Sequence, residues 1–505
     1  MRVLMRFAAG FVAAAAVLIL LLPDFLALTL GLGLLIPGLV LSIRYRGAGP
    51  VLLGFSAGLL WTLGFQALLV RPAQNLAGQT MTVTGTAVEA SVPIRDGIRV
   101  TADVQCDSVR TRAIIFLDTD QALFPGDRFT ARARLSAPSG SYESLDLAEG
   151  VWLLGYGYGA PEIVPAEKTP IRFWPQAIAS RLRDSLTACV PEDALGYAVA
   201  LTTGDRSGLT LSQRQDLQTS GIYHVMALSG MHLTVLMGAV SLLIRRRRPR
   251  ALIGIPVCIL FALITGASAS IIRAAVMQIL ILLGALLRRE TDPPTSLSAA
   301  GLVMTAWNPY CILSWSMQLS FASMAGILLF SDRVYNAFDE RLPGKGRLRS
   351  GVLSSIASTA SASVFSAPLM MVHFGSLSLI APVTNLLTVW VVIWCFRGSL
   401  LTALAGLLSV RIGSVLGWLL AWPIRYVQWA SSLLARLPFA ALYANTGYSV
   451  GWVILVYGVL LAVMCEPREQ RRPVIPICCI LIGLGACLLL TLLEDPAAAG
   501  AYPAG

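Results

Sequence analysis

The sequence has 505 residues, of which 56% are hydrophobic and only 13% are charged. Soluble domains carry about 25% charged residues, so this composition excludes an ordinary soluble protein. The excess of 38 basic over 27 acidic residues reflects membrane topology rather than nucleic-acid binding, because arginines gather in short loops between apolar runs. The sequence therefore predicts a mainly α-helical polytopic membrane protein.

Three apolar runs open the chain and predict membrane spans near residues 7–22, 25–42 and 51–70. The first run follows two arginines, as in a signal peptide, but it lacks a small-residue cleavage site, so we expect an uncleaved anchor. Loops rich in Lys and Arg stay cytoplasmic. Residues 1–70 should therefore form N-terminal transmembrane helices that begin in the cytoplasm, and the next segment should lie outside it.

Residues 71–173 are predicted to form an inserted extracytoplasmic all-β (OB-like) domain, either a small barrel or a sandwich. Alternating segments rich in Thr and Val, separated by Gly and Pro turns, indicate short strands at 80–90, 97–105, 109–117 and 128–135. Arginines on one face of two strands fit either a stripe facing phosphates or a solvated sheet face, and the slightly acidic balance of the segment favours the latter. Cys106 and Cys189, the two cysteines in outside regions, are expected to be free thiols rather than a disulfide.

The remaining chain divides into three predicted parts. Residues 174–222 are amphipathic and should form helices at the membrane interface. Residues 223–495 should form the main transmembrane domain, beginning with a span near 223–244, and residues 496–505 a tail. Either one or three crossings between residues 398 and 445 satisfy the charge rule.

Polar residues inside apolar segments are the first candidate functional residues, because an ionisable group in a bilayer costs about 2.5–3.5 kcal/mol and persists chiefly beside a cavity or a partner. His224 and His232 are eight residues apart, which places them roughly on one face of a continuous helix. Ser229 and Gly230 between them predict a kink or unwound point. The other candidates in apolar runs are Arg273, Gln318, Ser320 and Asn385. Interhelical hydrogen bonds, or snorkelling of the arginine, are the alternative roles.

A short loop adds Gly204, Asp205, Arg206, Ser207 and Gly208. Taken alone, this loop fits a simple turn with a local Asp–Arg pair. Together with the buried polar residues it suggests a polar path through the helices.

Enzyme signatures are missing from the sequence. It contains no G-x-x-x-x-G-K-[ST] phosphate-binding loop and no H-x-H or C-x-x-C arrangement for a metal. Ser229 lacks the preceding glycine of a G-x-S-x-G nucleophile elbow. We therefore expect no catalytic residues, no metal site and no cofactor.

The candidate residues lie within stretches that resemble the ComEC family, the inner-membrane channel proteins of bacterial natural competence. Residues 203–236 read "TGDRSGLTLSQRQDLQTSGIYHVMALSGMHLTVL", and this G-D-R-S-G-L run with a later S-G-x-H is similar to the family signature. The likeness continues, in the family's order, at "TGASASIIRAAVMQ" (265–278), "SMQLSFASMAGILL" (316–329) and "SLSLIAPVTNLL" (376–387).

The resemblance implies a multi-pass protein of the bacterial cytoplasmic membrane that passes single-stranded DNA during transformation. The candidate residues would line or shape the channel. The implied partners are single-stranded DNA, membrane lipid, a DNA receptor outside, and a motor or single-strand-binding protein in the cytoplasm. Whether the chain forms a homo-oligomer is left open. Longer members end in a metallo-β-lactamase-like domain, and we expect a form without it. The alternatives are a secondary transporter for a small polar or anionic solute and an assembly scaffold without a pore.

Overall fold

The computed structural model describes residues 3–44, 47–107, 109–166, 170–341, 346–438, 440–443, 451 and 455–458. The chain forms two compact units. The first unit contains residues 1–181 and 236–317, and the second contains residues 182–235 and 318–505. The predicted tail at 496–505 and the end of the predicted transmembrane domain lie outside the described residues.

Helices make up most of both units. In chain order they are α1 Val3–Leu20, α2 Asp24–Arg44, α3 Gly49–Phe65, α4 Arg71–Gln74, α5 Glu143–Ala148, α6 Trp174–Cys189, α7 Glu192–Thr203, α8 Leu211–Thr219, α9 Tyr223–Met226, α10 Gly230–Leu243, α11 Arg247–Ile264, α12 Ala269–Leu287, α13 Pro293–Trp307, α14 Trp315–Asp339, α15 Arg347–Phe374, α16 Ala381–Leu408 and α17 Val410–Ala435.

Within the described part of the chain, six helical segments are long and apolar enough to cross a membrane. They are Val3–Leu20, Asp24–Ile43, Gly49–Gln74, Ala269–Leu287, Arg349–Phe374 and Ala381–Leu408. The first three correspond to the three predicted N-terminal spans. The third is extended beyond α3 by a π-helical turn, Gln66–Val70, and by α4. The protein is thus a multi-pass membrane protein, as its composition predicts.

The first unit carries a small closed β-barrel between α4 and α6. Its strands are β1 Thr80–Ala87, β2 Val92–Ile94, β3 Gly97–Cys106, β4 Val109–Leu117, β5 Arg128–Ser136 and β6 Leu153–Val164. Strand β1 pairs antiparallel with both β5 and β3, which closes the order β1-β5-β6-β4-β3, and β4 pairs parallel with β6. Alternate residues of β3, from Ile98 to Cys106, are buried in the barrel core. The predicted β-rich domain is therefore confirmed, and of the two architectures that the sequence left open the structure has the barrel.

The barrel is fastened to the helices of its own unit at two points. The Asn308 side-chain NH₂ donates to two carbonyl groups of α5, at 2.9 and 3.1 Å. The ring of Trp152, at the start of β6, lies edge-on to Phe65 at the end of α3 and to Tyr310, with centroid distances of 5.9 and 5.3 Å. These contacts hold the barrel against the helical part of the first unit.

In the second unit, α16 and α17 form a hairpin that turns at Ser409. This turn lies within residues 398–445, for which the sequence did not decide between one and three membrane crossings. Helix α7 packs against both of them and is buried from Tyr197 to Thr203, unlike a helix that lies on a membrane surface. A short strand pair, β7 Ser376–Ser378 with β8 Ala441–Tyr443, completes the unit among the described residues. Cys189, like Cys106 in the barrel, is buried and free.

Close packing in the second unit depends on Gly417 of α17. A Cβ atom there would overlap the carbonyl oxygen of Cys189, which is backbone and cannot move aside. We expect Gly417→Ala to destabilise the unit by about 1–3 kcal/mol, the usual cost of overpacking. Gly351→Ala in α15 is the matched control, because open space surrounds Gly351 and both changes gain about 1 kcal/mol of helix propensity. Thermal unfolding of the purified protein in detergent measures the difference, and equal unfolding temperatures would contradict this packing.

Candidate functional site

The predicted break in the span near 223–244 is present in the second unit. Helix α9 ends at Met226, Ala227 is extended (φ −77°, ψ 117°), and α10 begins at Gly230. The unwound residues are therefore Ala227 to Ser229, and Gly230 is the first helical residue after them. A break of this kind leaves backbone and side-chain polar groups outside the regular helical hydrogen bonds.

His232 lies in the first turn of α10 and is fully buried. The Ser229 backbone N–H donates to its Nδ1 atom at 3.2 Å, so Nδ1 is an acceptor and the ring hydrogen is on Nε2. The ring stands edge-on to Phe396 of α16, with centroids 4.9 Å apart. Its Nε2 atom is buried without a hydrogen-bond partner among the described residues. Leaving a buried donor unpaired costs about 1–3 kcal/mol, so Nε2–H is a position where a water molecule or a ligand would be bound.

His224 lies on the other side of the break and is exposed. Its Nδ1 atom is 2.9 Å from the Gly221 carbonyl oxygen, which can only accept, so Nδ1 carries the hydrogen. Gly221 has a φ of 83°, a left-handed conformation that glycine adopts without strain. The predicted shared helical face of the two histidines is wrong, because eight-residue spacing aligns side chains only on an unbroken helix.

The loop 204–208 is a shaped structure rather than a loose turn. Gly204 ends α7 with a φ of 83°. The Asp205 carboxylate accepts from the Ser207 N–H at 2.9 Å and pairs with Arg183 at 3.3 Å. The guanidinium of Arg206 lies 5.1 Å from the centre of the Tyr223 ring, next to His224 in the chain. The loop and the break are therefore neighbours.

The charge of Asp205 is maintained by its surroundings. Burial raises the pKa of this carboxyl group. Hydrogen bonds from Ser207 and the positive charges of Arg183 and Arg214 together outweigh burial, so the pKa lies below its ordinary value of 3.8. The carboxylate thus stabilises the loop at neutral pH, and this contribution is lost only as the pH falls through the lowered pKa.

Arg214 of α8 is a site residue that the sequence did not reveal. Its guanidinium donates to the carbonyl oxygens of Arg206, Leu209 and Ser207, at 2.8, 3.1 and 3.3 Å. The planar guanidinium group of Arg214 therefore fixes the second half of the loop. The sequence offered little indication of this role, because an arginine on an amphipathic helix usually faces solvent.

Replacing Arg214 with Gln should loosen the loop without unfolding α8. We expect amide hydrogen exchange in residues 204–209 to accelerate by about tenfold, which corresponds to one charge-assisted hydrogen bond. In Arg214→Lys the exchange rate should lie between those of the native chain and the Gln variant, because lysine keeps the positive charge but not the planar guanidinium group. Gln218→Ala, an exposed change on the same helix, is the control. Unchanged exchange in the Gln variant would show that Arg214 does not hold the loop.

Three further predicted residues lie on other helices of the second unit. Gln318, half-buried in α14, accepts from His373 Nε2 of α15 at 2.8 Å, and Ser320 follows two residues later. Asn385 of α16 has a buried Oδ1 atom without a partner among the described residues. His373, which sequence reasoning gave no role, therefore ties α15 to α14.

Helix α16 buries a row of hydroxyl groups. Thr384, Thr388, Ser399 and Thr402 are fully buried, and their successive spacings of four, eleven and three residues keep them near one helical face. The hydroxyls of Ser399 and Thr402 have no hydrogen-bond partner in the described part of the chain. The His232 ring packs on Phe396 of the same helix. The spacing of these hydroxyl residues was visible in the sequence. It did not indicate a site, because hydroxyls in apolar helices commonly donate to carbonyl groups of their own helix.

Arg273 belongs to the first unit, whereas the other predicted residues belong to the second. It lies in the second turn of α12 and is 9% exposed, so it does not snorkel to the surface. One guanidinium nitrogen is 3.9 Å from the Met277 sulfur, one turn further along. Gly266 and Ala267, both with positive φ, shape the turn that leads into α12.

The barrel contains a basic cavity of about 940 Å³, also within the first unit. Arg110, Arg112, Arg128 and Arg172 line it with a single acidic residue, Asp103, and with Phe129 and Trp152. Asp103 pairs with Arg112 at 3.1 Å and with Arg172 at 2.5 Å. Four arginines against one carboxylate therefore leave three uncompensated positive charges in this cavity. No group of His, Cys, Asp or Glu suited to a metal occurs among the described residues.

Comparison with known proteins gives three matches. A family model described as "Competence protein" matches residues 201–469, which contain the loop, the break, Arg273 and α16. The chain is 26% identical to "ComE operon protein 3" of Bacillus subtilis (strain 168) over 306 residues, which are 58% of this chain and 38% of that protein. It is 24% identical to "Competence protein ComA" of Neisseria gonorrhoeae over 397 residues, 73% of this chain and 54% of that protein. The matches thus cover about half or less of either relative. No solved structure matches the chain.

Proposed function

The chain belongs to the Competence protein family, and from this membership we propose that it is a channel passing one DNA strand across the bacterial cytoplasmic membrane during transformation. The observation that carries the proposal is the broken helix at Ala227–Ser229 beside the buried Nε2–H of His232, which has no hydrogen-bond partner among the described residues. The family match includes this feature, and a polar interruption in an apolar helix is typical of a wet path.

Further support comes from the polar groups of the second unit. Asn385 Oδ1, Ser399 Oγ and Thr402 Oγ1 are buried without partners among the described residues. Buried polar atoms of this kind need water or a ligand to complete their hydrogen bonds. A DNA strand carries one charge and several polar groups per nucleotide, so it is a suitable ligand for these polar groups and for Arg206, which lies over the Tyr223 ring.

The barrel of the first unit fits a role in receiving the strand outside the membrane. Its cavity is lined by uncompensated arginines, which attract phosphates. The predicted OB-like character agrees with the closed five-stranded order. A receptor would deliver DNA to this side, and a motor or single-strand-binding protein would pull from the cytoplasm. On this proposal the chain itself performs no catalysis.

The test of the function is a deletion of the gene in a transformable bacterium, with DNA at the surface and DNA in the cytoplasm scored separately. We expect surface DNA to persist while transformants disappear, and the native gene to restore them. Normal transformation in the deletion strain would overturn the proposal. Loss of uptake for a small anionic solute instead would favour a secondary transporter.

The placement of the barrel has its own test. Ser139 is exposed on the barrel, so a cysteine there, in a chain with its nine cysteines removed, is accessible to reagents on its side of the membrane. We expect Ser139→Cys to react with an impermeant maleimide in intact cells with a permeabilised wall. A cysteine at Arg246, in a predicted cytoplasmic loop, should react only after lysis. The reverse pattern would place the barrel inside.

A further inference from the structure

A second basic cavity, of about 510 Å³, lies in the first unit between the start of α11 and the end of α12, and the proposed DNA path does not use it. Its lining residues are Arg247, Arg248, Gly284, Ala285, Leu286, Arg288, Arg289 and Glu290. Four arginines against one glutamate leave three uncompensated positive charges. We call this space the helix-end cavity. Its volume lies within the range of about 300–1,000 Å³ that is usual for ligand pockets.

Local structure brings the four arginines together. Arg247 and Arg248 occupy the first turn of α11, where the helix dipole adds to their positive potential. Arg288 ends α12 in the left-handed conformation, with a φ of 53°, and the Arg289 N–H donates to the Gly284 carbonyl at 2.9 Å. The chain therefore folds back over the helix end. None of the four forms an ion pair with a described residue, so the cluster keeps a positive potential that attracts an anion.

The walls of the helix-end cavity distinguish between kinds of anion. One wall is the last turn of α12, an apolar span with a mean hydropathy of 2.2. Next to Arg288 in the chain, Leu287 is 69% exposed, and Leu252, in the second turn of α11, is 64% exposed. A free phosphate or a DNA backbone gains nothing from these leucines. An anion that carries hydrocarbon chains would cover them.

We propose that the helix-end cavity binds the headgroup of an anionic glycerophospholipid, with the phosphate among Arg247, Arg248 and Arg288 and the acyl chains against the exposed leucines. Basic pockets between spans at the membrane surface bind such headgroups in this way. The site anchors one end of the first unit at a fixed depth in the bilayer, independently of DNA passage.

The experiment uses the full chain, purified in detergent and placed in nanodiscs, with phosphatidylglycerol as the probe and phosphatidylcholine as the neutral lipid. Arg247→Gln/Arg288→Gln removes two charges from the cavity. Arg245→Gln/Arg246→Gln removes two neighbouring charges that do not line it. We expect the cavity variant to bind phosphatidylglycerol about thirtyfold more weakly, and the control variant to bind it like the native chain.

Three outcomes would overturn the proposal. Equal losses in both double variants would mean that phosphatidylglycerol responds to net charge alone. Displacement of the lipid by glycerol 3-phosphate at the same concentration would identify a soluble phosphate site. Displacement by a short single-stranded oligonucleotide, abolished in the cavity variant, would assign the cavity to DNA. Melting temperatures of both variants without lipid show whether each is folded.

Discussion

Arg273→Ala is expected to reduce DNA entry to the level of a deletion strain while leaving the protein in the membrane at normal abundance. A charged side chain in an apolar span costs about 2.5–3.5 kcal/mol, and Arg273 is buried in α12, so alanine removes that cost. Because the Arg273 side chain does not favour membrane insertion, we expect its positive charge to serve DNA entry. Transformation frequency and membrane-inserted protein, measured in the same cells, check the prediction.

Two further variants sharpen the test of Arg273. Arg273→Lys keeps the charge but loses the planar fork, so we expect partial transformation. Arg411→Ala, at an exposed arginine of α17, controls for the loss of one positive charge and should transform normally. Normal transformation in Arg273→Ala would remove this residue from the path. Loss of the alanine variant from the membrane would assign it a packing role.

Substitutions of His232 should separate its two ring nitrogens. In His232→Asn the side-chain oxygen can replace Nδ1 and accept from the Ser229 N–H, but nothing replaces Nε2–H. We expect this variant to fold and insert normally and to lose most DNA entry. His232→Phe removes both functions and leaves the Ser229 N–H unpaired, at a cost of about 1–3 kcal/mol, so it should also lose abundance.

The rescue variant for His232 is Gln, whose amide NH₂ can reach the position of Nε2. We expect His232→Gln to recover part of the entry that the Asn variant loses. Phe396→Leu, which removes the ring that His232 contacts, tests whether packing alone accounts for the effect. An Asn variant that transforms normally would show that Nε2–H takes no part in transport.

Regular patterns in the sequence predicted much of the fold. Strands β3 and β4 were indicated at 97–105 and 109–117, because apolar residues alternate along them, and the structure has Gly97–Cys106 and Val109–Leu117. Strand β6 was missed. Its sequence, "LLGYGYGAPEIV", repeats glycine, which is depleted in strands and hides the alternation.

The candidate site was predictable only in part. Ser229–Gly230 indicated the break correctly, because both residues weaken a helix. The burial of His232 and the exposure of His224 were not predictable, since the phase between α9 and α10 depends on the dihedral angles of the unwound residues. Arg214 was missed for a different reason. Its three acceptors are carbonyl groups, and any residue supplies a carbonyl, so no side-chain motif marks them.

The fastening of the barrel has a kinetic consequence. With Trp152 held between Phe65 and Tyr310, the barrel cannot swing freely on the short segment that joins α4 to β1. A ligand captured in the barrel cavity therefore stays at one distance from the helices of the first unit. On the proposed function, transfer of a DNA strand from the barrel to the helices is then an intramolecular step, whose effective concentration is set by the protein rather than by DNA in solution. On this basis, loosening the Trp152 contacts should slow uptake most when DNA is scarce.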